Sequence, residues 1–186
     1  MTDTGDREQL RLERARNLDG ETLAAILDEY EPLIYRYVYR HVDDAATAED
    51  ITSDVFHRLL QALHLRRGPD TNLAAWLYRT AHNAIIDHYR RRQHRHHLPL
   101  DENLPAPDDD LADRLHGQLM KTRVKAALLE LSSDQRQVIM LKYLQGLSNE
   151  QVAQVLDKPV GAVKSLQHRA LEGLRRRLAT AKGKLP

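Results

Sequence analysis

The chain has no cysteine, one phenylalanine and one tryptophan among its 186 residues. The first absence excludes disulfides, thiolate nucleophiles, cysteine-ligated zinc and redox sensing through the chain's own thiols, and it is compatible with a reducing compartment. The scarcity of large aromatics beyond seven tyrosines points to cores filled by Leu, Val, Ile and Ala, hence to aliphatic helices. No apolar run approaches the roughly 18 residues of a membrane span, and Met1 to Gly20 lack the apolar centre of a secretory signal. A soluble cytoplasmic protein without membrane insertion is expected. A length of 186 residues allows one domain or two small ones.

Net charge is also nearly absent, at +1, but the balance hides segregation along the chain. From Gly20 to His57 nine acids face two bases, whereas Val160 to Pro186 holds seven bases and one acid. One end attracts phosphate and the other repels it. Two basic segments compatible with helix, Trp76 to Arg92 and Pro159 to Arg177, are separated by an acidic, proline-containing stretch. The layout suggests two nucleic-acid contacts on one chain.

The first module reads as helices. Leu23, Leu27, Tyr30, Ile34, Tyr37 and Val38 recur at helical spacing, with Pro32 as a start or kink. Thr47, three residues before Asp50, reads as the capped start of a second helix with Ile51, Val55, Leu59 and Leu63 as its buried stripe. Asp50, Asp54 and Arg58 share a neighbouring face. Gly68-Pro69-Asp70 breaks the pattern and reads as a loop, preceded by Arg66 and Arg67. Beyond it, a helix is predicted with Leu73, Leu77, Ala81, Ala84 and His88 on one side and Arg79, His82, Asn83, Ile86, Tyr89 and Arg90 on the other, Trp76 lying at the border. Bases mixed with planar and amide groups suit phosphates and unpaired bases. Solvated surface is the competing reading of that face.

In the second module Ser132 with Gln135 and Ser148 with Gln151 have capping-box spacing, which marks two helix starts. Gly146 reads as a C-cap, and Asp157-Lys158-Pro159 as a break before a third helix. Helix, short turn and basic helix make a helix-turn-helix pattern, whose second helix enters the major groove. On that helix Val160, Val163, Ala170, Leu171, Leu174 and Leu178 share a face, opposite Ser165, His168, Arg169, Glu172 and Arg176. Lys164 and Arg175 sit between the faces as phosphate contacts. Gln167 falls within the apolar face and needs a partner there, or else marks a wet edge.

From Leu23 to Leu178 the chain resembles bacterial sigma factors of the extracytoplasmic-function group. Ala48 to Phe56 resembles the polymerase-binding helix, and Trp76 to Asn83 with Ile86 to Arg91 resembles the helix that melts and reads the minus-ten element. Leu131-Ser132, Gln135-Arg136, Gly146 to Ala153 and Pro159 to Ser165 resemble the module that reads the minus-thirty-five element. The pattern departs from the family at Leu166-Gln167.

The resemblance implies an all-α protein of two small helical domains joined by a flexible acidic linker. It divides into an extension over 1–19, a region 2-like domain over 20–97, the linker over 98–117, a region 4-like helix-turn-helix domain over 118–182 and a tail over 183–186. Asp50, Asp54, Val55, Phe56 and Arg58 would contact polymerase. Arg66, Arg67, Thr71, Asn72, Trp76, Tyr78, Arg79, Asn83, Asp87, Arg90 and Arg91 would serve the minus-ten strand, the loop from Arg66 to Asn72 holding a base turned out of the stack. Lys164, Ser165, His168, Arg169, Arg175 and Arg176 would serve the minus-thirty-five duplex. The implied partners are core RNA polymerase, promoter DNA and an anti-sigma protein, with no cofactor and no metal.

Two rivals stand beside this reading. A conventional helix-turn-helix regulator would bind duplex DNA without polymerase, leaving the second basic aromatic helix unused. A metal enzyme would use His82, His88, His94, His96 and His97, but the His-Arg-His-His run at 94 to 97 lacks helical ligand spacing and a nearby general base. The segment from Met1 to Asp19 reads equally as a frayed helix or a disordered tail. The linker reads as a solvated spacer or as a thread through the path of the RNA.

Overall fold

The computed structural model describes residues 3–42, 44–95, 124 and 126–180, and every regular element among them is helical. The chain groups into two compact units, one drawn mainly from its first half and the other from its second. The acidic linker expected over 98–117, together with His96, His97 and the tail, lies outside the described residues.

Four helices build the first unit: α1 (Asp3–Arg16), α2 (Gly20–Val42), α3 (Ala45–His64) and α4 (Leu73–Arg95). Helices α2, α3 and α4 pack against one another, and α1 lies on α2 and α3. The predicted stripe of α2 is buried at Tyr30, Ile34, Tyr37 and Val38, joined by Ile26 and Val42, while Leu23 and Leu27 are half-buried. Pro32 does not start or interrupt this helix. It sits inside α2 on the exposed side, where Arg36 donates to its carbonyl at 3.2 Å.

Helix α3 begins three residues earlier than a cap at Thr47 would place it. Asp44 is the cap, accepting the Thr47 amide at 2.8 Å, so Thr47 donates through its backbone rather than capping. Of the two readings of the N-terminal segment, the helical one holds. Helix α1 buries Leu12 and Ala15, and a turn through Leu18 at φ 56 leads into α2. Asp19 caps α2, accepting the Thr22 amide at 3.0 Å and the Thr22 hydroxyl.

In the second unit residues 126–129 are helical, followed by α5 (Ser133–Ile139), α6 (Asn149–Leu156) and α7 (Val160–Thr180). Helix α5 passes into a π-helical turn, Met140–Leu144, that closes with the Gln145 amide on the Met140 carbonyl at 3.2 Å. Gly146 then takes φ 70, a conformation costly for any residue with a Cβ, and ends the turn as a C-cap should. Both predicted capping boxes are formed. The core of this unit includes Val138, Leu141, Val152 and Val163, all fully buried, and a cluster of Leu131, Ile139 and Ala170 with Leu128, Leu171 and Leu174 packed against it.

Candidate nucleic-acid and polymerase interfaces

Helix α3 presents Glu49, Asp50, Ser53 and His57 outward, with Asp54 and Arg58 half-buried and paired at 2.8 Å one turn apart. Val55 and Phe56 are not part of this surface. They are 0% and 6% exposed and lie on the core side of the helix with Ile51 and Leu59. Leu60, just off the Ile51-Val55-Leu59-Leu63 stripe, is exposed on the same helix.

The loop after α3 turns sharply at Arg66, whose φ is 52. The amides of Leu65, Arg66 and Arg67 return to the carbonyls of Gln61, Leu63 and Ala62 at 3.0, 3.0 and 2.8 Å. Gly68 packs so closely over Leu63 that a Cβ there would stand 3.1 Å from its side chain. Arg66, Arg67 and Thr71 remain exposed. Asn72 caps α4: its side-chain oxygen accepts the Ala75 amide at 3.0 Å and its carbonyl accepts the Trp76 amide at 3.1 Å.

Helix α4 buries a broader arc than a single stripe, because α2 and α3 both pack against it. Arg79, Asn83, Arg90 and Arg91 face outward, with Trp76 and Asp87 half-buried and Asp87 4.0 Å from Arg90. Tyr78 is 2% exposed and meets the Tyr37 ring edge-on at 5.3 Å, so it underlies the candidate strand surface without lining it. Burial pushes its phenol up to about 12, offset in part by Arg36 and Arg40. His82 is likewise turned inward at 7% exposure, with its Nδ1 3.2 Å from the Tyr37 hydroxyl. Tyr89, also assigned to the outer face, donates its hydroxyl to the His41 carbonyl. Helical spacing put His82 and Tyr89 on the outer face, and it cannot show that two neighbours flank the helix.

In the second unit each box closes both ways: Ser132 and Gln135 at 3.3 and 3.4 Å, Ser148 and Gln151 at 2.7 and 3.2 Å. Asp157 reverses the chain in the left-handed region at φ 53, ψ 48, and Lys158 anchors the turn on Asp134 at 3.0 Å. Glu150, at the start of α6, is held below the ordinary carboxyl value by hydrogen bonds from its own amide and from Ser148, with Lys164 and Lys142 adding to the effect. On α7, Lys164, Ser165, His168, Arg169, Arg175 and Arg176 are all exposed. Gln167 has its partner, donating to the Tyr143 hydroxyl at 2.9 Å on an exposed edge.

Two further arginines are structural. Arg136 donates to the carbonyls of Leu128, Leu129 and Leu131 at 3.1, 2.9 and 3.3 Å, closing the end of the preceding helical stretch. Arg177 bonds the Glu130 carboxylate and, at 3.3 Å, its carbonyl. Among the described residues no cluster of histidines and carboxylates could hold a metal ion, and no helix is long and apolar enough to cross a membrane.

Residues 26–95 match the family model of Sigma-70 region 2, and residues 121–174 match that of Sigma-70, region 4. The chain is 30% identical over 165 residues to the ECF RNA polymerase sigma factor SigL of Mycobacterium tuberculosis, covering 89% of this chain and 93% of that protein. The chain belongs to the ECF RNA polymerase sigma factors. It is 32% identical over 173 residues to the family member BldN of Streptomyces coelicolor, covering 90% of this chain but 64% of that longer protein. A solved complex of the sigma factor RpoE with the anti-sigma factor NepR from Bartonella quintana shares the fold, with a TM-score of 0.63 and 23% identity over 84% of this chain and 96% of that one. The region 2 match of this ECF sigma factor begins at Ile26, inside α2, and so leaves out α1.

Proposed function

We propose that this ECF sigma factor binds core RNA polymerase in the cytoplasm and directs it to promoters, its first unit capturing the melted minus-ten strand and its second reading the minus-thirty-five duplex. The observation that carries the reading is the presence, on one chain, of a region 2 module with an exposed basic helix and a region 4 module with an exposed helix-turn-helix.

Asp50, Asp54 and Arg58 contact polymerase from α3. Val55 and Phe56 hold that helix in place from the core side. Arg66, Arg67, Thr71, Arg79, Asn83, Arg90 and Arg91 form the exposed strand surface, with Trp76 and Asp87 at its half-buried margin and Tyr78 and Asn72 beneath it as supports. On α7, Lys164 and Arg175 neutralise phosphates, while Ser165, His168, Arg169 and Arg176 reach base edges, where a good bidentate pair discriminates by ~1–3 kcal/mol. The role needs no covalent chemistry. By analogy with the complexed RpoE, an anti-sigma protein that covers these surfaces is a natural regulator.

Run-off transcription with purified core polymerase and a genomic promoter pool, followed by sequencing of transcript starts, tests the reading. New starts that depend on this chain are expected. Binding of duplex DNA with no association with polymerase would replace the sigma role with that of a conventional helix-turn-helix regulator.

A further inference from the structure

The loop between α3 and α4 is held at its two ends by its own neighbours. Backbone bonds from residues 65–67 fasten it to the last turn of α3, and Asn72 fastens it to the first turn of α4. Its middle is held from elsewhere. Arg16, the last residue of α1, donates through Nη2 to the Pro69 carbonyl at 2.9 Å and to the Asp70 carboxylate at 2.7 Å, a span of more than fifty residues in sequence. The Arg16 side chain is largely covered, whereas that of Asp70 is open to solvent.

Helix α1 is itself anchored. Besides burying Leu12 and Ala15, it sends Arg11 to Glu29 at 2.7 Å and to the Ala25 carbonyl at 3.3 Å, with the guanidinium 5.8 Å over the Tyr30 ring. A fixed helix thus carries a guanidinium to the turn, and its Nη2 holds a carbonyl and a carboxylate of adjacent residues at once.

We propose that Arg16 is a positioning residue for strand capture: from α1, outside the region 2 match, it sets the Pro69-Asp70 turn so that Arg66, Arg67 and Thr71 meet an extruded base in one geometry. The physical gain is preorganisation, since a loop ordered in advance does not lose that freedom on binding. The inference rests on the sigma reading above, and its test separates the two.

The probe is the non-template single strand of a promoter from which the wild-type holoenzyme initiates, either intact or carrying one abasic site at each position in turn. Arg16→Gln in the full chain, assembled with core polymerase, is expected to bind the intact strand roughly three- to tenfold more weakly, one charge-assisted bond and one exposed ion pair being lost. On the strand lacking the captured base, variant and wild type should bind alike. Affinity for core polymerase and for the upstream duplex should not change. Asp70→Ala, at an exposed residue, should lose less, and the double variant no more than Arg16→Gln; this second substitution carries the comparison if Arg16→Gln proves unstable.

Equal binding of the intact strand by Arg16→Gln and wild type would overturn the proposal. A deficit that persists unchanged on every abasic strand would do the same, since it would mark a general loss of structure. A wild-type holoenzyme that binds no single strand at all would instead refute the strand-capture reading on which the proposal stands.

Discussion

The two units secure their exposed contacts by different means. The first packs three long helices around a core that takes in Tyr37, Tyr78 and His82, and this core claims several residues that helical spacing alone would send to the surface. The second has a core of Leu, Ile, Val, Ala and Met with no buried aromatic ring among the described residues, fixes its helix starts with two reciprocal capping boxes and a left-handed turn, and leaves every candidate DNA contact on α7 in solvent. Where burial does the organising, surface residues are hard to assign from spacing. Where local hydrogen bonds do it, they are easy.

The sharpest way to break this contrast is Tyr37→Ala. The ring is fully buried, edge-on to Tyr78 and within hydrogen-bonding distance of His82, so its removal is expected to cost about 3–5 kcal/mol and to unfold the first unit selectively in urea. Amide exchange that reports both units would show it, and loss of protection spread equally over α7 would contradict the contrast.

Alkaline titration probes the same difference without mutation. Six of the seven tyrosines lie in the first unit, where burial raises Tyr78 to about 12 and Tyr30 and Tyr37 higher still. A phenol kept neutral by folding adds stability that is fully present below its ordinary value of 10.0 and is lost as pH rises through the folded value. The first unit should therefore unfold between pH 10 and 12 while α7 is still intact, as followed by phenolate absorbance alongside residue-specific exchange.

Arg169→Ala acts on the other unit and on binding rather than folding. Duplex affinity should fall by ~1–3 kcal/mol if Arg169 reads a base edge, with a relaxed preference at one base pair, whereas a pure phosphate contact would lower affinity for all sequences alike and reduce the salt dependence. Smallest is Ser148→Ala, which removes half of a capping box and is expected to cost about 1 kcal/mol, seen as fraying of α6 with α2 to α4 unaffected.

Much of this molecule was legible as a string of residues, for reasons that can be named. Capping boxes span three residues, so Ser132-Gln135 and Ser148-Gln151 could be read directly, and Gly146 and Asp157-Lys158-Pro159 mark the turns between them. The outward face of α7 also followed from period alone, because its apolar stripe packs to one side. Thr47 misled because the stronger cap, Asp44, stands just upstream and uses the Thr47 amide. Val55, Phe56 and Tyr78 were assigned by their place in family-like motifs, and a motif does not say whether a residue touches the partner or supports the residue that does.

The helices after α1, the capping boxes and the basic face of α7 are properties of the sequence alone, since each depends on residues within a few positions of one another. Tertiary packing settled which faces remain in water, that Gln167 finds Tyr143, and that Arg16 reaches Pro69 and Asp70. Those contacts join residues more than twenty to fifty positions apart, and they exist only once packing has brought separate helices together.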